Sequence, residues 1–386
     1  MSTKFKIPDI PWHLIDEAKR KIRKVWALED LDLRDPALLV NWERLLDARS
    51  ELNATAAQRI ADPELDVRCQ FEINVRRQIE SLEAGEEIGT GAVNMPGLNM
   101  VHFGTGPLAT AFGATWVVRD HDQPFFKPAV HTPEEALRLV KPDLRHGGIL
   151  PLILERIDYY NEATQGRIPI TPCDTAGPWS IATQIWHYED MLEAIHTAPE
   201  AVRYLLDLVT DCIIEFYNIQ ETRIGRWSGT HVSFPWPWYP RGIGIGDDCM
   251  VCVSPATWEE FFLPYNNRLS REYGGLFYHC CLCYENHLSS LAKTENFMGF
   301  DADPKYNSIV KIEAALTGRG VLTTPIGLGL PGGITGSGFV EANPETLEDA
   351  LSYIHRLRGK AGLFLGIQGE NRQDAIDKAK RLLDNI

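Results

Sequence analysis

Residues 278–287 read Tyr-His-Cys-Cys-Leu-Cys-Tyr-Glu-Asn-His. Imidazole nitrogen and thiolate sulfur are donors that hold Zn²⁺ at roughly 2.0–2.3 Å. The stretch closes an apolar run, Gly275-Leu-Phe-Tyr-His279, that reads as a strand. Alternation along it sends His279, Cys281 and Cys283 to one side and Cys280 to the other. A single extended segment rarely fills a tetrahedral sphere, so a further ligand from elsewhere in the chain is expected. The competing reading makes these cysteines small buried hydrophobes beside a satisfied histidine, the commoner fate of a single Cys. Three cysteines and a histidine within five residues at a strand end favour a metal.

Other reactive side chains also sit where apolar runs stop. Asp247 and Asp248 follow Gly242-Ile-Gly-Ile-Gly246. From there they can position a substrate, protonate a leaving group or support a metal, against the alternative of capping the next helix. Asp174, after Thr171-Pro-Cys173, has the same placement. Ser233-Phe-Pro-Trp-Pro-Trp-Tyr-Pro240 gathers aromatic rings in a Pro-stiffened loop. Trp236, Trp238 and Tyr239 would make an apolar wall for a substrate, with His231 at its edge; local packing or an oligomer contact competes with that reading. The Gly-rich stretch 327–338 lacks both a Walker lysine and Rossmann spacing, so it reads as a shaped loop or lid. His102 is taken as structural.

These residues need a scaffold that aligns strand ends. Apolar runs at 167–174, 230–234, 242–247, 275–279, 297–301, 320–326 and 362–368 predict seven strands, with an eighth expected between 91 and 116. Helical spacing or punctuation falls between them at 190–209, after Ser254-Pro255 through 258–273, and after Asn343-Pro344 through 347–357 with Gly359 beyond the end. Repeated strand–helix alternation without a linker predicts an α/β fold, a (β/α)8 TIM barrel, over 91–386. A doubly wound sheet is the alternative. Residues 1–90 read as an N-terminal helical extension, with Ile15, Ala18, Ile22, Val25 and Trp26 on one face and Phe71, Val75, Ile79 and Leu82 on another.

Composition limits the partners. Against 38 Lys and Arg stand 53 Asp and Glu, a formal charge of −15 that argues against a general nucleic-acid or acidic-membrane binder. No run approaches the ~20 apolar residues of a membrane span, and the charged N-terminus is unlike a signal peptide, so a cytoplasmic protein is expected. Eight cysteines, three of them crowded together, fit reduced thiols or a metal site better than a disulfide framework.

The order Ile245-Gly-Asp-Asp-Cys-Met-Val-Cys-Val-Ser-Pro-Ala-Thr-Trp-Glu-Glu-Phe-Phe-Leu-Pro-Tyr265, then Gly274-Gly-Leu-Phe-Tyr-His-Cys-Cys281, resembles the uroporphyrinogen decarboxylase superfamily. An acidic pair, a Ser-Pro helix with spaced aromatics and a strand ending in His follow one another in that order. Pro199 to Leu206 matches the same style. The resemblance implies the same barrel. His-x-Cys at the strand end is most similar to the branch of corrinoid-dependent methyltransferases. That branch implies Zn²⁺ on His279 and Cys281, a corrinoid carried by a partner protein, and a small-molecule methyl donor or acceptor, an aromatic methyl ether being one candidate. The branch's further cysteine near the last strand is missing here. Gln368 or Glu370 stands in its place, so Glu370 and Cys283 are the expected substitutes. A metal-independent decarboxylase of a porphyrinogen-like polycarboxylate and a non-catalytic ligand-binding barrel are the alternatives. The Arg-rich substrate segment of true decarboxylases has no equivalent before residue 100. A homo-oligomer is compatible with the aromatic loop.

Overall fold

Among the described residues the strands are β1 (Ala37–Trp42), β2 (Thr115–Val117), β3 (Phe125–Lys127), β4 (Ile243–Gly246), β5 (Leu276–His279), β6 (Phe297–Asp301), β7 (Val321–Leu328) and β8 (Gly362–Gly369). The computed structural model describes residues 5–42, 54–119, 124–173, 176–224, 238–304, 306–328 and 346–386. Six strands form one sheet in the order β1-β8-β7-β6-β5-β4, every pair parallel, while β2 and β3 make a separate antiparallel hairpin. Parallel pairing gathers the carboxyl ends of all six strands on one side.

Among the described residues the regular ladder does not close between β1 and β4. Isolated parallel bridges cross the opening instead: Leu38 to Ala92, Leu98 to Ile170, and Ala176 to Gly246. The backbone N–H of Val93 donates to Leu38 O at 2.8 Å, that of Thr171 to Leu98 O at 2.8 Å and that of Gly177 to Gly246 O at 2.7 Å. Short bridged segments at 92–98, at 170–171 and at 176–177 thus stand where a barrel places its second and third strands, and the α/β architecture is TIM-barrel-like.

The expected strands at 242–247, 275–279, 297–301, 320–326 and 362–368 are present, and that at 230–234 lies outside the described residues. The first ninety residues hold helices over Trp12–Trp26 and Arg76–Ile88, but β1 also comes from them. Ala-Leu-Leu-Val is a short apolar run whose period fits helix or strand equally, and pairing with β8 decides it. Two expected helices break. The first divides into Tyr188–Thr197 and Pro199–Ile224 at Pro199, and the other into Pro255–Phe261 and Leu263–Tyr273 ahead of Pro264. Proline is at home in a helix's first turn and costly in its interior.

Alternation sorts the faces of β5. Tyr278 meets Trp258 of the helix Pro255–Phe261 edge to face, with ring centroids 6.1 Å apart, so it points outward. Phe277 and His279 therefore point inward. The interior at the amino end is filled by Trp26, whose ring lies 5.9 Å from Phe277 and 5.8 Å from Phe364. The N-terminal helix thus caps the amino end of the sheet, opposite the strand ends that carry the acids and His279. Among the described residues no helix is long and apolar enough to cross a membrane.

Candidate active site

The site is built by register. Gly246 of β4 pairs with His279 of β5, and His279 pairs with Asp301 of β6. An irregularity between β5 and β6 sets the second pairing. Leu276 faces Phe297, but Phe277 faces Gly299, so Met298 is an extra residue. Without that bulge His279 would face Phe300; with it, a carboxylate replaces a phenyl ring.

His279 Nδ1 lies 2.5 Å from Asp301 Oδ2, and both side chains are 8% exposed. On the other side of the ring, Nε2 is 3.0 Å from Cys281 Sγ. Burial works against charge on this imidazole, but Asp301 and then Cys281 outweigh it and hold its pKa well above the usual value. Asp301 Oδ1 also accepts the N–H of Cys280 at 3.3 Å. The N–H of Cys281 donates to Asp248 Oδ1 at 2.7 Å, which fixes the turn carrying the thiol against the acid after β4.

Asp248, His279 and Cys281 each present one donor atom, oxygen, nitrogen and sulfur, and the three lie within 4.8 Å of one another. This set suits a zinc ion: three protein donors of accepted types, with a position left over for water or substrate. Asp301 behind His279 is a carboxylate placed to orient a metal-binding imidazole and fix its tautomer.

Two of the expected ligands lie outside this group. The chain leaves extended conformation after His279 and turns at Cys281 and Leu282, so alternation does not carry on to Cys283, which is exposed and outside the group. Glu370, just past β8, is exposed, with its N–H bonded to Asp374 Oδ2 at 2.8 Å, and it is likewise outside the group. Asp248, expected only as a catalytic or supporting acid, is the residue that joins His279 and Cys281. Cys280 turns into the core, where burial pushes its thiol pKa well up.

Asp247 is fully buried beside this group. Its N–H donates to His279 O at 2.9 Å, and its Oδ1 accepts from Ser180 Oγ at 2.8 Å. Burial pushes its pKa up to about 7; Ser180 pulls it back, Asp248 adds to the rise, and Trp258 and Asn266 lower it. Ser180 stands in the first turn of the helix Pro178–Ile185, whose preceding Gly177 is hydrogen-bonded to β4. Sequence reasoning missed both Ser180 and Asp301. Asp301 carried a signal, since it ends an expected strand as Asp247 follows another. Ser180 carried none.

The aromatic wall is also corrected. Trp238 and Tyr239 lie where the chain enters β4, at the amino end of the sheet. Tyr239 packs on Trp26, Phe277 and Met298, and Trp238 O accepts from Trp26 Nε1 at 3.2 Å. Lys19 and Arg23 cover the Trp238 ring. A loop that leads into a strand lies at the end opposite its catalytic rim, which is why these rings cannot line it. Asp174, His231 and Trp236 lie outside the described residues. His102 is structural, buried against Arg156 and Asp66.

Residues 100–223 match the sequence model of the family described as uroporphyrinogen decarboxylase (URO-D). Over that stretch the chain is similar to the uroporphyrinogen decarboxylase family. No curated protein matches its sequence. Among solved structures, the chain shares its fold with a methyltransferase from Methanosarcina mazei. The TM-score is 0.60 at 17% identity, covering 95% of this chain and 97% of that one. Their likeness is one of architecture.

Proposed function

We propose that the protein is a zinc-dependent methyltransferase that moves a methyl group between a small molecule and a corrinoid held by a partner protein. The observation carrying this reading is the convergence of Asp248, His279 and Cys281 at the carboxyl ends of β4 and β5. Barrels of this kind keep their chemistry at that face. The Methanosarcina mazei methyltransferase, which shares the fold, supports the reaction class.

Asp248, His279 and Cys281 would hold the Zn²⁺. When bound, it supplies Lewis acidity toward the oxygen, nitrogen or sulfur that releases or accepts the methyl group. The chain's own residues set the frame. Asp301 holds the His279 ring by Nδ1 and leaves Nε2 facing the thiol. Asp248 anchors the Cys281 backbone, and the buried Asp247 ties the loop after β4 to His279 O. A site with this little freedom loses little entropy when the reacting groups meet. Donors gathered this tightly at an open rim also favour an enzyme over a barrel that only binds a ligand.

The test is zinc content and methyl transfer measured together on the full chain. The expected result is bound zinc together with transfer from methylcobalamin to a thiol, or from a methylated donor to cob(I)alamin. Both should be lost in His279→Ala and Cys281→Ser. Full transfer by zinc-stripped protein would overturn the reading. Release of CO₂ from a porphyrinogen-like polycarboxylate without corrinoid would favour the decarboxylase instead.

A further inference from the structure

A second group of donors lies in another part of the fold. The segment before the helix Pro133–Leu137 and the segment before the helix Tyr188–Thr197 run side by side, joined by a parallel bridge between Val130 and Trp186. The N–H of His187 donates to Val130 O at 2.8 Å. Because the two chains are parallel and in register there, the next residue on each is a histidine, and the rings of His131 and His187 stack with centroids 5.4 Å apart and planes 28° from parallel. Asp190 stands one helical turn beyond His187. Its Oδ2 is 3.2 Å from His131 Nδ1 and 3.4 Å from His187 Nδ1.

We propose that His131, His187 and Asp190 form a second site for a divalent transition-metal ion such as Zn²⁺. One donor atom of each lies within 4.8 Å of the others, as is also true of Asp248, His279 and Cys281. Two imidazoles and one carboxylate on three separate positions are an accepted donor set, and imidazole selects zinc, copper, nickel or iron over magnesium and calcium. Among the described residues His187 Nδ1 has no hydrogen-bond partner, and it stands 3.4 Å from the Asp190 carboxylate, so a donor atom is already turned toward it. Local backbone order comes from structure that exists without the ion. Thr132 and Glu135 close a capping box at one helix, and the bridge fixes the other. The side chains of His131 and Asp190 are 59% and 40% exposed, so an ion can enter the group from their side. A bound ion would clamp the two helix starts together.

The site is tested with Zn²⁺ alone, by equilibrium dialysis of chelator-stripped full-length protein. Cys281→Ser protein isolates it from the proposed catalytic centre. The expectation is one equivalent of zinc per chain in Cys281→Ser. Adding His131→Ala and His187→Ala to that background should abolish it, with a rise in melting temperature on zinc addition seen only when both histidines are present. Co²⁺ gives a second readout, since this donor set lacks sulfur and its complex should show no thiolate-to-cobalt absorption. Cys281→Ser protein that binds no zinc would overturn the proposal, and so would equal binding with and without the two histidines. Neither result bears on whether His279 and Cys281 hold zinc, because Cys281 is replaced throughout.

Discussion

Asp301 faces His279 across neighbouring strands with Oδ2 2.5 Å from Nδ1, while the ring's other nitrogen faces Cys281 Sγ. An imidazole held in this way can present only one nitrogen to a cation, and its orientation is set before any ion arrives. Asp301→Asn should therefore weaken zinc binding by about 10–100-fold, the usual cost of losing such a partner. Competition with a chromophoric chelator measures it. An unchanged affinity would mean that Asp301 serves the fold rather than the site.

The bulge that creates this pairing depends on Gly299. Its φ is +144°, and a Cβ there would lie 2.0 Å from Val321 O on β7. Gly299→Ala should lower stability by at least about 1–3 kcal/mol, from backbone strain alone, and should weaken zinc binding because His279 and Asp301 lose their register. Asp301→Asn should lose zinc with much less change in melting temperature. Thermal melts and chelator competition on both variants separate the two effects.

Much of this arrangement was legible in the sequence, for reasons specific to each residue. Strand ends were readable because an apolar run stopped at His279, Asp247 or Asp301, and parallel pairing then brought those ends together. The His279 and Cys281 pair followed from local spacing. Asp248 as their companion did not, because it depends on how β4 and β5 align, which no local pattern encodes. The same holds for Met298, where one extra residue decides which side chain His279 meets. Cys283 misled because alternation was extended past the end of the strand. Trp238 misled because aromatic richness says nothing about which end of a strand a loop serves.

Asp247 provides a test by pH. Its folded pKa of about 7 lies above the value near 3.9 of an unfolded aspartate, so the native state favours the protonated form. The stabilising contribution is complete below about pH 3.9 and is lost as pH rises through 7, up to a total on the order of 4 kcal/mol. Asp247→Asn, which cannot ionise, should remove that loss. Metal-free variant and wild-type protein should be similar in stability near pH 4, and the variant should be the more stable at pH 8. Urea titrations at the two pH values decide it. A variant no better at pH 8 would mean that Asp247 is comfortably ionised in its pocket. Ser180→Ala should push the wild-type behaviour further, since Ser180 is the group that most lowers the acid's pKa.

The buried ion cluster under the N-terminal helices has the opposite pH dependence. Asp66 is fully buried, with Oδ1 2.8 Å from Arg59 Nε and Oδ2 accepting from Arg156 and from Tyr160 at 2.5 Å. Burial alone would raise its pKa, but the charged Arg59 and Arg156 and the hydrogen bond from Tyr160 hold it below the usual value. His102 Nε2 lies 3.3 Å from Arg156 Nη1, and the neutral ring can accept that hydrogen bond. Its pKa falls to about 3, chiefly through burial, with Arg59 and Arg156 overcoming part of the opposing pull of Asp66. Both groups therefore contribute stability at neutral pH that disappears in acid. The unfolded chain protonates His102 first, from about pH 6.5 downward, at a rate of at most about 1.4 kcal/mol per pH unit. His102→Gln should flatten this first part of the acid limb, leaving stability nearly level between about pH 6.5 and 5 where the wild type declines. Asp66→Asn should cost about 3–5 kcal/mol at pH 7, because Arg59 and Arg156 keep their charges in the core without a counter-charge. Urea unfolding at pH 7 and pH 5 checks both, and identical pH slopes for wild type and His102→Gln would show that the histidine is already charged in the native protein.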